Sequence, residues 1–419
     1  SLLSMDVRQE DLYTGKVKDI FYGMDGSGWV MGRMLGKEIA MKKLNIVLVG
    51  LGFGGAFVPI YKDHPGVGSI GIFDTDSSVM EEFARAHGIE RLYHSFEEIL
   101  EDEEVDAVHL VTPIPLHAKQ TAAVLNAGKH CACTVPMAVS LEEIREITEA
   151  VKRSGKNYMM METTLYTRQF FYAREMLMKG EFGKIQFLRG SHYQDMANWP
   201  SYWLGLPPMW YGTHAIAPMR AMAGARICKV HCFGSGTMEE GMEEQYGNPY
   251  PVESAIFSFE NGLKGEATRT LFETARVYQE GMFVYGSDAS FEWGFSDGDN
   301  PIITTAVKAA DGKRGGTTVV RETVMPNYYS MLPEEIRKHT VGGNYDPLNP
   351  QESLISGAAG GHHGSHPHLV HEFVSSILEN RKAAIDEVLG ANITAAGICA
   401  HLSAMQDGAE VVVPVFDEG

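Results

Sequence analysis

A β-branched run that ends in a glycine-rich turn, LNIVLVG followed by GLGFGG across residues 44–55, limits the fold more than any other stretch. A short unbroken apolar run predicts a strand buried on both faces, the situation of a parallel sheet. Gly50-x-Gly52-x-x-Gly55, with Phe53 and Gly54 inside it, then occupies the turn from strand to helix. In such a turn the first glycine permits the tight bend. The second lets a pyrophosphate approach the backbone, and the third lets helix and strand pack closely. The following helix would offer its free N–H groups and positive dipole end to the phosphates.

The next strand, SIGIFDTD (69–76), ends in Asp74, at the spacing where an acid accepts from the adenosine ribose hydroxyls. Asp76 follows, and no arginine is present to pair a 2′-phosphate. Two carboxylates would repel that phosphate, so the reading is NAD rather than NADP. Asp76 reads equally well as the N-cap of the helix SSVMEEFARAHG. Strand and helix signals keep alternating through VDAVHLVTP, HAKQTAAVLNAG, KHCACTVP, LEEIREITEAVKRSG and NYMMMET. This predicts a doubly wound parallel sheet over 43–165.

The rhythm changes beyond residue 165. FGKIQFLRGSHY, ICKVHCFGSG, SAIFSFENGLKGEATRTLF and MFVYGSDASFEWG read as successive strands joined by Gly and Asn turns. A second α/β domain over 166–419 is expected, built on a large, mostly antiparallel open sheet. Helices are expected at 366–382 and 390–408, the latter packing back on the first domain, with a terminal strand at 411–416. The open sheet has an uncovered face, so a homo-oligomer, dimer or tetramer, is expected. Residues 1–42 read as an N-terminal extension, in which Asp6, Arg8, Glu10 and Asp11 interrupt any secretory apolar run. The net charge of −19 argues against nucleic-acid and anionic-membrane partners. Five cysteines without a regular framework suggest reduced thiols and a cytoplasmic location.

Val111-Thr112-Pro113, His117, Ala127-Gly128-Lys129-His130, the strand ending in Pro136, Gly180-Glu181-Phe182-Gly183-Lys184-Ile185 and Gly212-Thr213-His214 together resemble the Gfo/Idh/MocA oxidoreductase family. The resemblance implies a Rossmann domain followed by an open-sheet domain, NAD(P), and a sugar or cyclitol substrate. It places Thr112, Pro113, His117 and Thr134 beside the cofactor. Two departures matter. The usual Glu-Lys-Pro is Thr134-Val135-Pro136, and the usual Asp beyond the histidine is Ala217. In the family the lysine and the His–Asp pair normally take the alcohol proton, and a general base contributes about 10²–10⁴ in rate. Met159-Met160-Met161-Glu162, Tyr211-Gly212-Thr213-His214 and Gly360-Gly361-His362-His363-Gly364 resemble more narrowly glycoside hydrolase family 109. That family also carries Val-Pro at this turn. The likeness implies oxidation at C3, elimination across C2, addition of water and return of the hydride. Thr134, Gly212 and His363 depart from its pattern.

His214 is the candidate base, with Tyr211 one turn before it. Glu162, at the carboxyl edge of the parallel sheet, is the candidate for a second proton transfer. His192 and Tyr193 end one strand, and alternation lets only one face the site. Trp203 and Trp210 lie in the loop WPSYWLGLPPMW, whose aromatic faces suit a pyranose. His362 and His363 are expected to reach the sugar rather than a metal, because no carboxylate or thiol completes a ligand spacing. The expected activity is NAD-dependent removal of hydride from a secondary hydroxyl carbon of a sugar or glycoside. A redox-neutral glycosidase or lyase and a non-catalytic sugar or NAD sensor remain as alternatives.

Overall fold

The computed structural model describes residues 42–296, 299–340 and 361–416. The N-terminal extension and the part of the glycine-rich stretch before Gly361 lie outside the described residues. The first sheet contains β1 (Leu44–Val49), β2 (Val67–Phe73), β3 (Arg91–Leu92), β4 (Ala107–Leu110), β5 (His130–Thr134) and β6 (Tyr158–Met161). Its order is β3-β2-β1-β4-β5-β6, and every registered pair is parallel. The order reverses between β1 and β4, so the carboxyl ends of these strands flank the crevice where ligands bind in doubly wound sheets. Strand β1 is buried at five of its six positions, as its unbroken apolar run requires. Val135, the residue in the lysine's place, sits just past β5, joined to Pro136 by a cis peptide.

The second sheet contains β7 (Ile185–Tyr193), β8 (Ile227–Ser235), β9 (Val252–Phe259), β10 (Lys264–Thr270), β11 (Gln279–Gly286), β12 (Ala289–Glu292), β13 (Ile302–Val307), β14 (Thr317–Glu322) and β15 (Val411–Val412). Its order is β14-β13-β12-β11-β7-β10-β9-β8-β15. The pairs are antiparallel except β10 with β7. Along β8, Ile227, Val230 and Cys232 are buried while Lys229, His231 and Phe233 face out, the alternation of a sheet covered on one side. Helices Thr213–Ala223 and Glu387–Ala404 cover that side. The latter begins three residues before its expected start. It is apolar nearly all round because it also touches the first sheet, where the Thr394 hydroxyl lies 3.6 Å from the Met160 sulfur. The expected terminal strand shrinks to Val411–Val412. The hairpin β13–β14, which the sequence did not signal, has no position buried. Among the described residues no helix is long and apolar enough to cross a membrane.

Candidate active site

The glycine turn is built for a close approach. Gly50 has φ +92°, and a Cβ there would lie 2.2 Å from the Val111 carbonyl oxygen, so no larger residue fits. Gly54 and Gly55 pack against Leu48 and Phe83 beneath the turn. Above Gly52 a Cβ would meet nothing within 4 Å, which leaves its backbone open to the cleft. One oxygen of Asp74 accepts from Leu51 N at 2.7 Å and the other from Asp76 N at 2.9 Å. The acid therefore fixes the turn while it lines the cleft beside Thr75. Asp76 caps the helix Ser77–His87 by accepting from Ser78 N and Val79 N. These features fit a dinucleotide: an open backbone for the pyrophosphate and a carboxylate for the ribose.

From this cradle one cleft of about 400 Å³ runs past Thr112, Pro113, Thr134 and Val135 to Tyr211, His214, Tyr278 and His362. His117 also lines it, but its two ring nitrogens lie 2.7 Å from the Pro136 carbonyl and 2.8 Å from that of Thr112. Burial, opposed by these carbonyls, holds its pKa below the ordinary value, so the ring is neutral and donates its one N–H to one of the two carbonyls. Thr134 donates to the Leu110 carbonyl at 3.3 Å.

At the far end, His214 opens helix Thr213–Ala223 with its side chain buried. Its Nδ1 donates to Glu162 Oε1 at 2.6 Å, which leaves Nε2 on the other side of the ring, 3.8 Å from Glu280 Oε1. Burial alone would lower the pKa of His214; Glu162 and Glu280 outweigh it and raise the pKa. Glu162 also accepts from the Thr164 amide at 3.0 Å and the Thr164 hydroxyl at 2.7 Å. Burial pushes its carboxyl up, but His214 and Thr164 prevail and hold it below the usual range. The acid thus stands behind His214 and does not line the cleft.

Tyr211 lines the cleft, and burial raises its pKa despite the nearby Arg269, so it is a neutral phenol near pH 7. Four residues the sequence reading missed complete the site: Gln194 and Tyr278 line the cleft, and Glu280 and Arg269 lie beneath it. Glu280 accepts from the Tyr278 hydroxyl at 2.6 Å and from His362 Nδ1 at 3.0 Å. Arg269 is fully buried and spends its donors on neutral oxygens: Tyr211 O at 2.9 Å, His192 O at 3.3 Å, Thr270 O, and Oε1 of the cleft residue Gln194 at 3.1 Å. Their signal was faint: Arg269 and Glu280 are charged residues at inward positions of strands, and Gln194 and Tyr278 lie just beyond strand ends.

Alternation selects His192 as the inward residue of its strand. Its ring lies 4.8 Å from that of His214, and both ring nitrogens are buried without a hydrogen-bond partner. Tyr193 turns to the other face, under Arg276. Trp203 lines the cleft and meets Tyr211 edge-on at 4.8 Å. Trp210 packs on Tyr246 and His401, outside the cleft. His362 reaches the cleft, whereas His363 turns to Gln169, 2.9 Å away. Among the described residues no group of three or more His, Cys, Asp or Glu has a metal-holding arrangement.

Comparison with known proteins agrees with this geometry. Residues 44–162 match the model of the oxidoreductase family with NAD-binding Rossmann fold, and residues 170–292 match the GFO/IDH/MocA C-terminal domain. A 1-carboxy-3-chloro-3,4-dihydroxycyclohexa-1,5-diene dehydrogenase of Comamonas testosteroni is 24% identical over 254 residues, 58% of this chain and 60% of that protein. A glycosyl hydrolase family 109 protein of Shewanella pealeana is 24% identical over 299 residues, 62% of this chain and 65% of that protein. The chain thus spans less than two thirds of the length of these curated relatives. Among solved structures, levoglucosan dehydrogenase in complex with NADH and levoglucosan shares the fold with a TM-score of 0.71 at 22% identity, covering 89% of this chain and 100% of that one. Myo-inositol 2-dehydrogenase from Lactobacillus plantarum does so with a TM-score of 0.68 at 18% identity, covering 89% and 100%. The first sheet is an NAD-binding Rossmann domain, and the chain belongs to the Gfo/Idh/MocA oxidoreductase family.

Proposed function

We propose that this protein is an NAD-dependent oxidoreductase that removes hydride from a secondary hydroxyl carbon, C3 in our reading, of an uncharged sugar or glycoside. The observation that carries the proposal is the Glu162–His214 pair, which opens onto the same cleft as the glycine turn, where Val135 replaces the family's lysine. Bound NAD supplies the hydride acceptor. Glu162 holds the proton on Nδ1, so the lone pair of Nε2 is free to take the hydroxyl proton. The imidazolium that results is stabilised by the carboxylate behind it. Tyr211, a neutral phenol, donates a hydrogen bond to the same oxygen. Trp203, with Trp199 and Tyr202, offers aromatic faces to the apolar side of a pyranose.

The lining supports an uncharged substrate. Among the described residues no Lys or Arg lines the cleft. Arg269 lies below the floor with its donors engaged. A carboxylate or phosphate on the sugar would meet no fixed counter-charge.

A specific observation supports the redox-neutral glycosidase as second reading. His362, backed by Glu280, is a second imidazole on the same cleft. Elimination needs another base, for the C2 proton, and Glu162 is too enclosed for that task. One incubation with NAD and a panel of aryl glycosides, following NADH absorbance and released phenol together, separates the readings. NADH without phenol supports the dehydrogenase. Phenol without net NADH supports the cycle. Neither signal, with NAD bound, refutes both.

A further inference from the structure

A row of four buried polar side chains crosses the second sheet. Glu253 on β9 registers with Arg269 on β10, Arg269 with His192 on β7, and His192 with Glu280 on β11. Registered partners project to the same face, so the four stand side by side under the turn 208–212. Three of them meet Tyr211, His214 or His362. Glu253 touches neither the cleft nor these side chains, and it is fully buried.

Its two oxygens reach in different directions. One accepts from Met209 N at 2.7 Å, and the other from His401 Nδ1 at 2.7 Å. Pro207 and Pro208 have no N–H, so Met209 carries the first backbone donor of this turn. The opposite side of the same residue is held too. A Cβ on Gly397 would lie 2.2 Å from the Met209 carbonyl oxygen, so the helix seats against it only because residue 397 is glycine. Two residues on, Arg269 holds the Tyr211 carbonyl. The backbone is therefore held at the residues on both sides of Trp210, at Met209 and at Tyr211, and His214 follows from the end of that grip.

We propose that Glu253 is a positioning residue: it locks the turn to the helix Glu387–Ala404 and so sets where Tyr211 and His214 stand in the cleft. The catalytic consequence rests on the reading of His214 given above; the positional claim does not. A buried carboxylate is costly unless its oxygens are used, and an apolar residue would fill this place at less cost if packing were the only need.

The test compares E253Q with E253L in the full chain. Glutamine can still accept from Met209 N and contact His401; leucine can do neither. The primary readout is the imidazole titration of His214 by nitrogen NMR, assigned with H214N. Glu162, Glu280, Arg269, His192 and His362 surround that ring, so its titration reports its position among them. E253L should displace the titration and E253Q should restore it. On any glycoside the wild type turns over, E253L should lose about 10²-fold in kcat, the scale of a displacement of about 1 Å, with affinity for NAD unchanged. A folded E253L with the wild-type titration, or an E253Q as damaged as E253L, overturns the proposal. If E253L does not fold, G397A presses on the Met209 carbonyl with the carboxylate intact and should shift the same titration; no shift overturns it. If the wild type turns over no glycoside, the titration still judges the positional claim alone.

Discussion

Replacing Glu162 by glutamine removes one charge and almost no volume, and the structure sets what should follow. Glu162 Oε1 takes three hydrogen bonds, two of which the glutamine carbonyl can still take from Thr164. The third, from His214, is the one that strengthens when His214 becomes an imidazolium. Both side chains are buried, so solvent screens the pair little. A hydrogen bond to a charged group contributes about 1.5–3 kcal/mol, which converts to a loss of about 10- to 150-fold in kcat. The pH dependence follows from the same pair. The base must be neutral, so oxidation rises as pH climbs through the His214 pKa, which Glu162 and Glu280 hold above the ordinary value against burial. In E162Q the largest raising influence is gone and burial remains, so the rising limb moves to lower pH while the plateau falls. The assay is NADH formation against pH with wild type and variant. A variant with the wild-type limb and an undiminished plateau would refute the role given to the pair.

Gly50→Ala should weaken NAD binding and lower the melting temperature, because the strained φ of +92° and the Val111 carbonyl both oppose a Cβ; the strain alone costs about 1–3 kcal/mol. Isothermal titration with NAD checks it. Tyr211→Phe removes a hydrogen-bond donor and no base, so kcat/KM should fall by a few-fold, about 1 kcal/mol, with no displacement of the pH profile. Burial lowers the pKa of His64, His109 and His368 to about 3, with a repulsive His371 adding to the effect at His64 and His368 and Arg174 adding at His368. Their folded pKa lies below the unfolded value, so the unfolded chain binds more protons below pH ~6.5. Stability should therefore be intact above that pH and fall as pH drops below it, by up to about 1.4 kcal/mol per pH unit for each histidine, a loss that continues until their folded pKa is reached. Denaturant unfolding at a series of pH values reads this, and flat stability down to pH ~5 would contradict it.

The nucleotide half was legible because its determinants are local. The run before Gly50, the glycine spacing and the acid at the end of β2 are all set within one strand–turn–helix unit, and the structure keeps each in place. The places of His214 and Tyr211 on the cleft were also legible, as was the inward side of His192, because alternation leaves one of two residues facing inward, although His192 does not line the cleft. What the sequence hid was non-local. Glu162 reads as an edge acid and becomes the partner of a histidine 52 positions later. Glu280 and Arg269 sit on strands, and Tyr278 just before one, whose pairing order no local pattern specifies, so nothing in their own segments says that they meet. Trp210 and Trp203 look equivalent in one loop, yet the turn between them sends one to Tyr246 and the other to the cleft.

The central claim is that His214 enables hydride to leave a sugar carbon in a site without the lysine. The most direct test is a single turnover of a ring-deuterated glycoside with enzyme-bound NAD, quenched and read by mass spectrometry of the nicotinamide. The account predicts deuterium on the nicotinamide with the wild type and none with H214A. Deuterium that stays wholly on the sugar while NAD is bound, or that transfers equally well in H214A, would contradict it.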